Sequence, residues 1–470
     1  MAKEKQQKTK KTNNRLYLDL NYTGILIFLL FRIPLTNIVG NEGNGYFAVT
    51  WELYTLFGLL FGHGIYYVTR DMVSKRNKKG RYHNSTRVLS AALIISFILS
   101  VIGFLIIYFG SDYLLGILSM KLSRIGFRLL GILLIINTFS GVLRGYFEGC
   151  GTSVPTCFSK IVEAFITGTG AVIFAATFYK YGGKVGALLF VEQYQPAFGS
   201  AGIAAGCVCG SIFSLIFLLI VNGVYQKPLK QLLQKSGVSE IESVASILKE
   251  FLIVLFLTLM ELFTFNLFRI LNIGLYIKTY SNTELRDKTV QYLGSYHGKV
   301  LVLTAIIALV ILSISGKNVK KIQRCVYKDN LKMAWRYFCD DAKQFLIIST
   351  PLVILCGVLA KNILSVLYKS SGNTEVSMLQ IGCINILLIP LAVYLSKLIK
   401  LLDLKLFAVI IPLGSFVIQT LIMGALVKQE NIGALSLIIA EVVFWLLIVL
   451  FELFVIIKKF KFPTLRNMDV

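Results

Sequence analysis

Two arginines, Arg32 and Arg269, have the type and the spacing to do chemistry in this chain of 470 residues. Each stands in the tetrad Leu-Phe-Arg-Ile, at 30–33 and again at 267–270, 237 residues later and close to half the chain length. Both tetrads lie inside apolar runs. A guanidinium near the centre of a bilayer costs roughly 2.5–3.5 kcal/mol on insertion scales, so such a group turns toward water or toward an anion. It stays protonated and offers forked donors that match phosphate or carboxylate. Two of them, one per half, would converge on a single anion. Asn266 and Asn272 flank Arg269 at i−3 and i+3, a polar stripe that suits a water-lined surface better than lipid. Glu52 joins them as a candidate for the lining of a central cavity. The other reading is structural: Glu52, Glu163, Glu261 and Glu441 are acids on other spans that would neutralise the arginines. Of these, Glu163, Glu261 and Glu441 are also candidates for coupling to a cation or proton. Both readings stay open at this level.

Nothing in the chain is arranged for covalent chemistry. It has no G-x-S-x-G elbow, no Walker A run for hydrolysing ATP and no H-E-x-x-H. His63, His83 and His297 are scattered, and the eight cysteines include no C-x-x-C pair. An enzyme active site, a metal, a cofactor and a disulfide framework are therefore not expected.

The elements that must position these groups are membrane spans. Apolar residues make up 56% of the chain and charged ones 15%, against roughly 25% charged in soluble domains, and the mean hydropathy is +0.73. Soluble enzymes, nucleic-acid binders and secreted scaffolds are excluded. Apolar stretches of about twenty residues, each able to cross the ~30 Å hydrocarbon core as a helix, recur from 20–38 and 46–68 to 432–457. The expected fold class is an all-α membrane protein with about twelve transmembrane helices in two pseudo-symmetric six-helix bundles. The bounds are a basic tail 1–19, a bundle 20–230, a linker 231–247, a bundle 248–457 and a tail 458–470. The Lys-rich start leads into an apolar run with no small-residue cleavage site, so the first helix is expected to be retained.

The net charge of +24 reports topology. Of 48 Lys and Arg, 34 fall on the set of connections that includes both termini and 10 on the other set, with four in or beside spans. That bias places both termini in the cytoplasm. Two basic connections, 70–87 and 317–343, follow the second and eighth helices, which are equivalent positions in the two halves. Gly-rich 202–210 permits close helix approach, and Pro34, Pro351, Pro390 and Pro412 bend the spans they sit in.

Short motifs extend the pattern. They are Phe31-Arg32 followed by Gly40-Asn41-Glu42-Gly43-Asn44-Gly45-Tyr46-Phe47, then Gly62-His63-Gly64-Ile65, then Arg144-Gly145-Tyr146-Phe147-Glu148-Gly149 with Pro155-Thr156, and the stretch from Gly202 to Gly206. Together they resemble the multidrug/oligosaccharidyl-lipid/polysaccharide flippase superfamily, within it the polysaccharide transporter branch of stage V sporulation protein B-like proteins and lipid II flippases. The second half is similar through Tyr292, Gly294, Gly298, Pro351 and Asn431-Ile432-Gly433-Ala434.

The resemblance implies a MATE-like fold, a conformational turn at Arg144, Gly145, Gly149 and Pro155, and alternating access by two bundles in the cell membrane. It implies a lipid-diphosphate-linked glycan as substrate, moved from the cytoplasmic to the outer leaflet. Asn272 stands where relatives frequently have Asp, which argues against ion coupling through that position. The expected partners are this substrate and the bilayer, with a coupling cation or proton left open, no nucleic acid, and a monomeric protein. The alternative on the same fold is a multidrug/toxin extrusion antiporter, whose cation pocket would be rich in buried acids and poor in buried arginine.

Overall fold

The computed structural model describes residues 2–235, 242–280, 286–369, 372–429 and 432–461. Within them the chain is helical, with no strand. It divides into two compact units, Met1–Leu267 and Phe268–Val470.

The first unit holds α1 (Ala2–Gly58), α2 (Gly64–Lys78), α3 (Tyr82–Ile117), α4 (Arg124–Gly149), α5 (Val154–Leu189), α6 (Tyr194–Lys235) and the start of α7 (Val244–Tyr280). The expected turn at 39–45 is reduced to one residue. Gly40 alone leaves helical geometry, at φ 69° and ψ −175°, a region open to glycine and strained for other residues. Asn44 then donates from Nδ2 to the Gly40 carbonyl at 3.0 Å, filling an acceptor that the break leaves. Residues 59–63 form a π-turn between α1 and α2.

Helices also run on past the expected bilayer limits. The basic connection 70–87 belongs to α2 and α3 except for 79–81. Arg144, Gly145 and Gly149 lie in the last turns of α4 and Pro155 in the first turn of α5, so the connection itself is only 150–153.

Small residues set how close these helices come. Gly202, Gly206 and Gly210 recur every fourth residue along α6 and face α5. A Cβ on Gly202 would stand 2.5 Å from the Phe174 carbonyl oxygen, and one on Gly206 would collide with the backbone of Ala171. The core on the other side of the unit joins Ile65, Val68 and Met72 of α2 to Val88 and Ala92 of α3, Val142 and Tyr146 of α4, and Phe251 and Leu255 of α7.

The second unit follows with α8 (Arg286–Ser295), α9 (Leu301–Ile314), α10 (Val319–Tyr327), α11 (Leu331–Val358), α12 (Ala360–Tyr368), α13 (Asn373–Gly382), α14 (Asn385–Leu401), α15 (Lys405–Leu426) and α16 (Leu435–Lys461). A π-turn at 296–300 joins α8 to α9. It begins 237 residues after the π-turn of the first unit, the same interval that separates Arg32 from Arg269. The internal repeat is thus carried by backbone geometry as well as by a tetrad of residues.

Ten described stretches are long and apolar enough to cross a membrane. The first of them, Tyr22–Lys78, breaks at Gly40 into two crossings. With α7, 37 residues long, the total reaches twelve. Apolar side chains such as Phe97, Phe109, Ile220 and Leu421 point outward from the helices. In water they would be a liability, whereas facing acyl chains they need no partner. This is a multi-pass membrane protein.

Candidate functional site

Arg32 is 2% exposed in the first limb of α1. Its Nη2 donates to Asn44 Oδ1 at 2.9 Å, and its guanidinium carbon lies 4.7 Å from the centre of the Phe47 ring. The break at Gly40 makes both contacts, because it folds the second limb back beside the first. An amide oxygen and an aromatic face are both favourable partners for a guanidinium. Glu52, on the second limb, is buried, and the Thr55 hydroxyl bonds its carbonyl at 2.8 Å.

Arg144 and Glu163 form a separate centre across α4, α5 and α6. Arg144 Nη2 meets Glu163 Oε2 at 2.5 Å and Ser214 Oγ at 2.7 Å, while its Nε donates to Ser159 Oγ at 2.9 Å. Ser211 donates to the other oxygen of Glu163 at 2.9 Å. Arg144 thereby ties three helices together. Behind it, Gly145 and Gly149 let α4 lie against α2: a Cβ at Gly145 would stand 2.5 Å from the Tyr66 carbonyl oxygen.

In the second unit Arg269 Nη2 reaches Glu441 Oε1 at 2.7 Å. The Arg269 side chain is 31% exposed, whereas Glu441 has no exposed surface. The Tyr296 hydroxyl donates to Glu441 Oε2 at 2.5 Å, so the π-turn supplies the second donor to this carboxylate. Phe268 stacks on Phe444 beside the pair, with ring centroids 4.0 Å apart. Asn272, one turn along α7, accepts from Gln419 Nε2 at 2.7 Å. Asn266 is half-buried on the same helix. The side chain of Glu261, and Asn431 at the start of its motif, lie outside the described residues.

One constellation carries no signal in the motifs above. Lys299, in the π-turn, donates to both oxygens of Glu375 at 2.8 Å, and Ser295 donates to the same carboxylate at 2.8 Å. All three residues are buried. Lys299 stands at the head of the apolar run Val300–Ile314, and a cation at that place is the clue that would have flagged it. The halves repeat their backbone but not this chemistry: at the same interval the first unit has Leu59 where the second has Tyr296, and Gly62 where it has Lys299.

A family profile described as polysaccharide biosynthesis protein matches residues 15–316. The lipid II flippase MurJ of Bacillus subtilis (strain 168) is 25% identical over 154 residues, 31% of this chain and 28% of that protein. Stage V sporulation protein B of the same organism is 22% identical over 347 residues, 73% of this chain and 63% of that protein. These matches span less than two thirds of either relative. Among solved structures, an inward-facing multidrug resistance MATE family transporter of the MOP superfamily aligns with a TM-score of 0.74 at 13% identity, covering 94% of this chain and 96% of that one. An outward-facing MATE structure aligns with a TM-score of 0.64 at 14% identity, covering 95% and 94%. The fold is that of these transporters.

Proposed function

The chain belongs to the polysaccharide biosynthesis protein family, and from that premise we propose that it moves a lipid-linked glycan with an anionic, diphosphate-bearing head from the cytoplasmic to the outer leaflet. The observation that carries this reading is the pair of arginines set at the same place in two halves, in register with the repeated π-turns. A transported diphosphate needs donors that stay charged at the depth of the membrane, and guanidinium is the side chain that does. Similarity to a lipid II flippase and to a sporulation protein of the same branch supports a lipid-linked substrate. In this reading Arg32 acts on the head group, and Arg269 joins it when the head group replaces Glu441 as its partner during the cycle, with Asn266, Asn272 and Glu52 around them. Arg144 with Gly145, Gly149 and Pro155 keeps α2, α4, α5 and α6 moving as one body. The bundles 20–230 and 248–457 alternate access to the two sides of the cell membrane, and both termini face the cytoplasm. Transport is non-enzymatic and is driven by an ion gradient or the membrane potential.

Three acids argue against the cation antiporter on the same fold. Glu441 and Glu375, both buried, and half-buried Glu163 each hold an Arg or Lys in an ion pair. A carboxylate already neutralised by a side chain is a poor receptor for a cationic drug. The test is a paired experiment in cells. Deleting the gene should leave lipid-linked glycan on the inner leaflet, and overproducing the protein should leave resistance to ethidium-like cations unchanged. A gain in cation efflux would overturn the assignment.

A further inference from the structure

The two basic connections are used differently: the first commits its arginines to nearby acids and leaves Lys75, Lys78 and Lys79 exposed, and the second leaves its cations facing outward throughout. In the first, Arg76 is taken up by Glu242 and Glu250, Arg81 lies 3.7 Å from Glu242, Arg70 pairs with Asp71 at 3.0 Å, and Arg87 donates to the Glu242 carbonyl at 2.6 Å. In the second, 317–343, there are eight basic and three acidic residues, and one of the acids, Asp341, is buried. Among the described residues none of Lys320, Lys321, Arg324, Lys328, Lys332 and Arg336 makes an ion pair, and all six are exposed.

This segment is also built as a fixed surface. Helix α10 buries Val319 and Ile322 and turns Lys320, Lys321 and Arg324 to the opposite side, with Lys328 exposed at its C-terminal cap. Its start is clamped by Asp341, which accepts from the backbone N–H of Asn318 at 3.1 Å, from Asn318 Nδ2 at 2.8 Å and from the Tyr394 hydroxyl at 3.0 Å. Its end is pinned by Tyr327, whose hydroxyl donates to Asp403 at 2.9 Å, and by Gln323 Nε2, which donates to the Leu401 carbonyl at 3.2 Å. Orienting a polytopic chain needs only a count of cytoplasmic cations. It does not need them mounted on a helix that a buried carboxylate holds in place.

We propose that the cationic face of α10, with Lys332 and Arg336 of α11, binds anionic phospholipid head groups of the leaflet it borders. The helix lies between two spans, α9 and α11, so it sits at the membrane surface, and clusters of four or more Lys and Arg there attract anionic lipid. The inference does not depend on what the protein transports.

The test places the purified full-length protein in nanodiscs of equal phosphatidylglycerol and phosphatidylcholine, then counts by native mass spectrometry the phospholipids retained after mild extraction. Wild-type protein should retain phosphatidylglycerol over phosphatidylcholine at least tenfold, and added salt should weaken that preference. Each cation removed from an anionic surface costs about fivefold, so the variant K320Q/K321Q/R324Q/K328Q should lower the ratio at least tenfold. A control, K75Q/K78Q/K79Q, should lower it less than the quadruple variant, because these exposed lysines lie where α2 ends and not on a separate helix held between two spans. The salt titration on wild-type protein decides the matter even if the quadruple variant fails to fold. Equal retention of the two lipids by wild-type protein overturns the proposal, and is the result expected if the patch serves an acidic protein instead. An unchanged ratio in the quadruple variant, a loss in the control as large as in that variant, or a preference indifferent to salt does the same.

Discussion

Replacing Arg269 by Ala should unfold or strongly destabilise the protein through Glu441. That carboxylate has no exposed surface and loses the Nη2 donor at 2.7 Å, keeping the Tyr296 hydroxyl at 2.5 Å. The arginine is itself 31% exposed, so the penalty falls on the acid left behind. Breaking a buried pair by removing one partner costs about 3–5 kcal/mol. Because the hydrogen bonds from Tyr296 and Trp445 survive, the lower end of that range applies, still a large part of the ~5–15 kcal/mol that holds a typical domain together. The double variant R269M/E441L removes both charges. Apolar replacement of a buried pair is often neutral or stabilising by about 1–4 kcal/mol, so the double variant should melt near or above wild type while Arg269→Ala melts well below it. Thermal unfolding in detergent, followed by tryptophan fluorescence and membrane yield, measures both. Trp445 lies one turn from Glu441 and reports on the site. A single variant that melts like wild type, or a double variant no more stable than the single, would refute the energetic reasoning.

Two further outcomes follow from the packing and the topology. Gly206→Leu should cost more than the usual ~1–3 kcal/mol of an overpacked core, because its Cβ meets the backbone of Ala171 where no rotamer offers relief, and Gly357→Leu, with open space around it, should be tolerated; melting temperatures of the two compare directly. In a variant lacking the native cysteines, Asn41→Cys should react with an impermeant thiol reagent applied to intact cells while Lys78→Cys and Lys328→Cys stay unlabelled. Labelling at Lys78 would reverse the proposed orientation.

The spans and the repeat were legible in the sequence because hydropathy and the recurrence of Leu-Phe-Arg-Ile are local signals. What escaped the sequence has three physical causes. Helix ends are set by hydrogen bonding and packing rather than by the edge of the hydrocarbon, so α2 and α3 continue through residues that read as a basic loop. A break at one glycine, completed by Asn44, replaces a seven-residue turn, and nothing in that Gly- and Asn-rich stretch says which of its three glycines takes the left-handed conformation. Ion pairs bring together residues far apart in the chain. The acids on offer for the two arginines were four, and Arg269 with Glu441, or Lys299 with Glu375, become partners only through the packing of α7 on α16 and of the second π-turn on α13. Asp341 illustrates the same point: one Asp among many cations reads as a solvated charge, yet it is buried and anchors α10.

The central claim is that the arginines act on the anionic head of the transported lipid, and Arg32 tests it directly. Its Nη2 donates to Asn44 and its guanidinium lies over the Phe47 ring, and the apolar packing of α1 does not depend on its charge. Flipping of a fluorescent lipid diphosphate-linked disaccharide in proteoliposomes should be measured for Arg32→Ala and Arg32→Lys, with the amount of folded protein determined in each sample. Losing one charge-assisted donor group costs about 1.5–3 kcal/mol, or roughly tenfold to a hundredfold in affinity for the head group. Arg32→Ala should therefore lose most of its flipping at low substrate while remaining folded, and Arg32→Lys, which keeps the charge without the fork, should fall between. Wild-type flipping by folded Arg32→Ala protein would contradict the account.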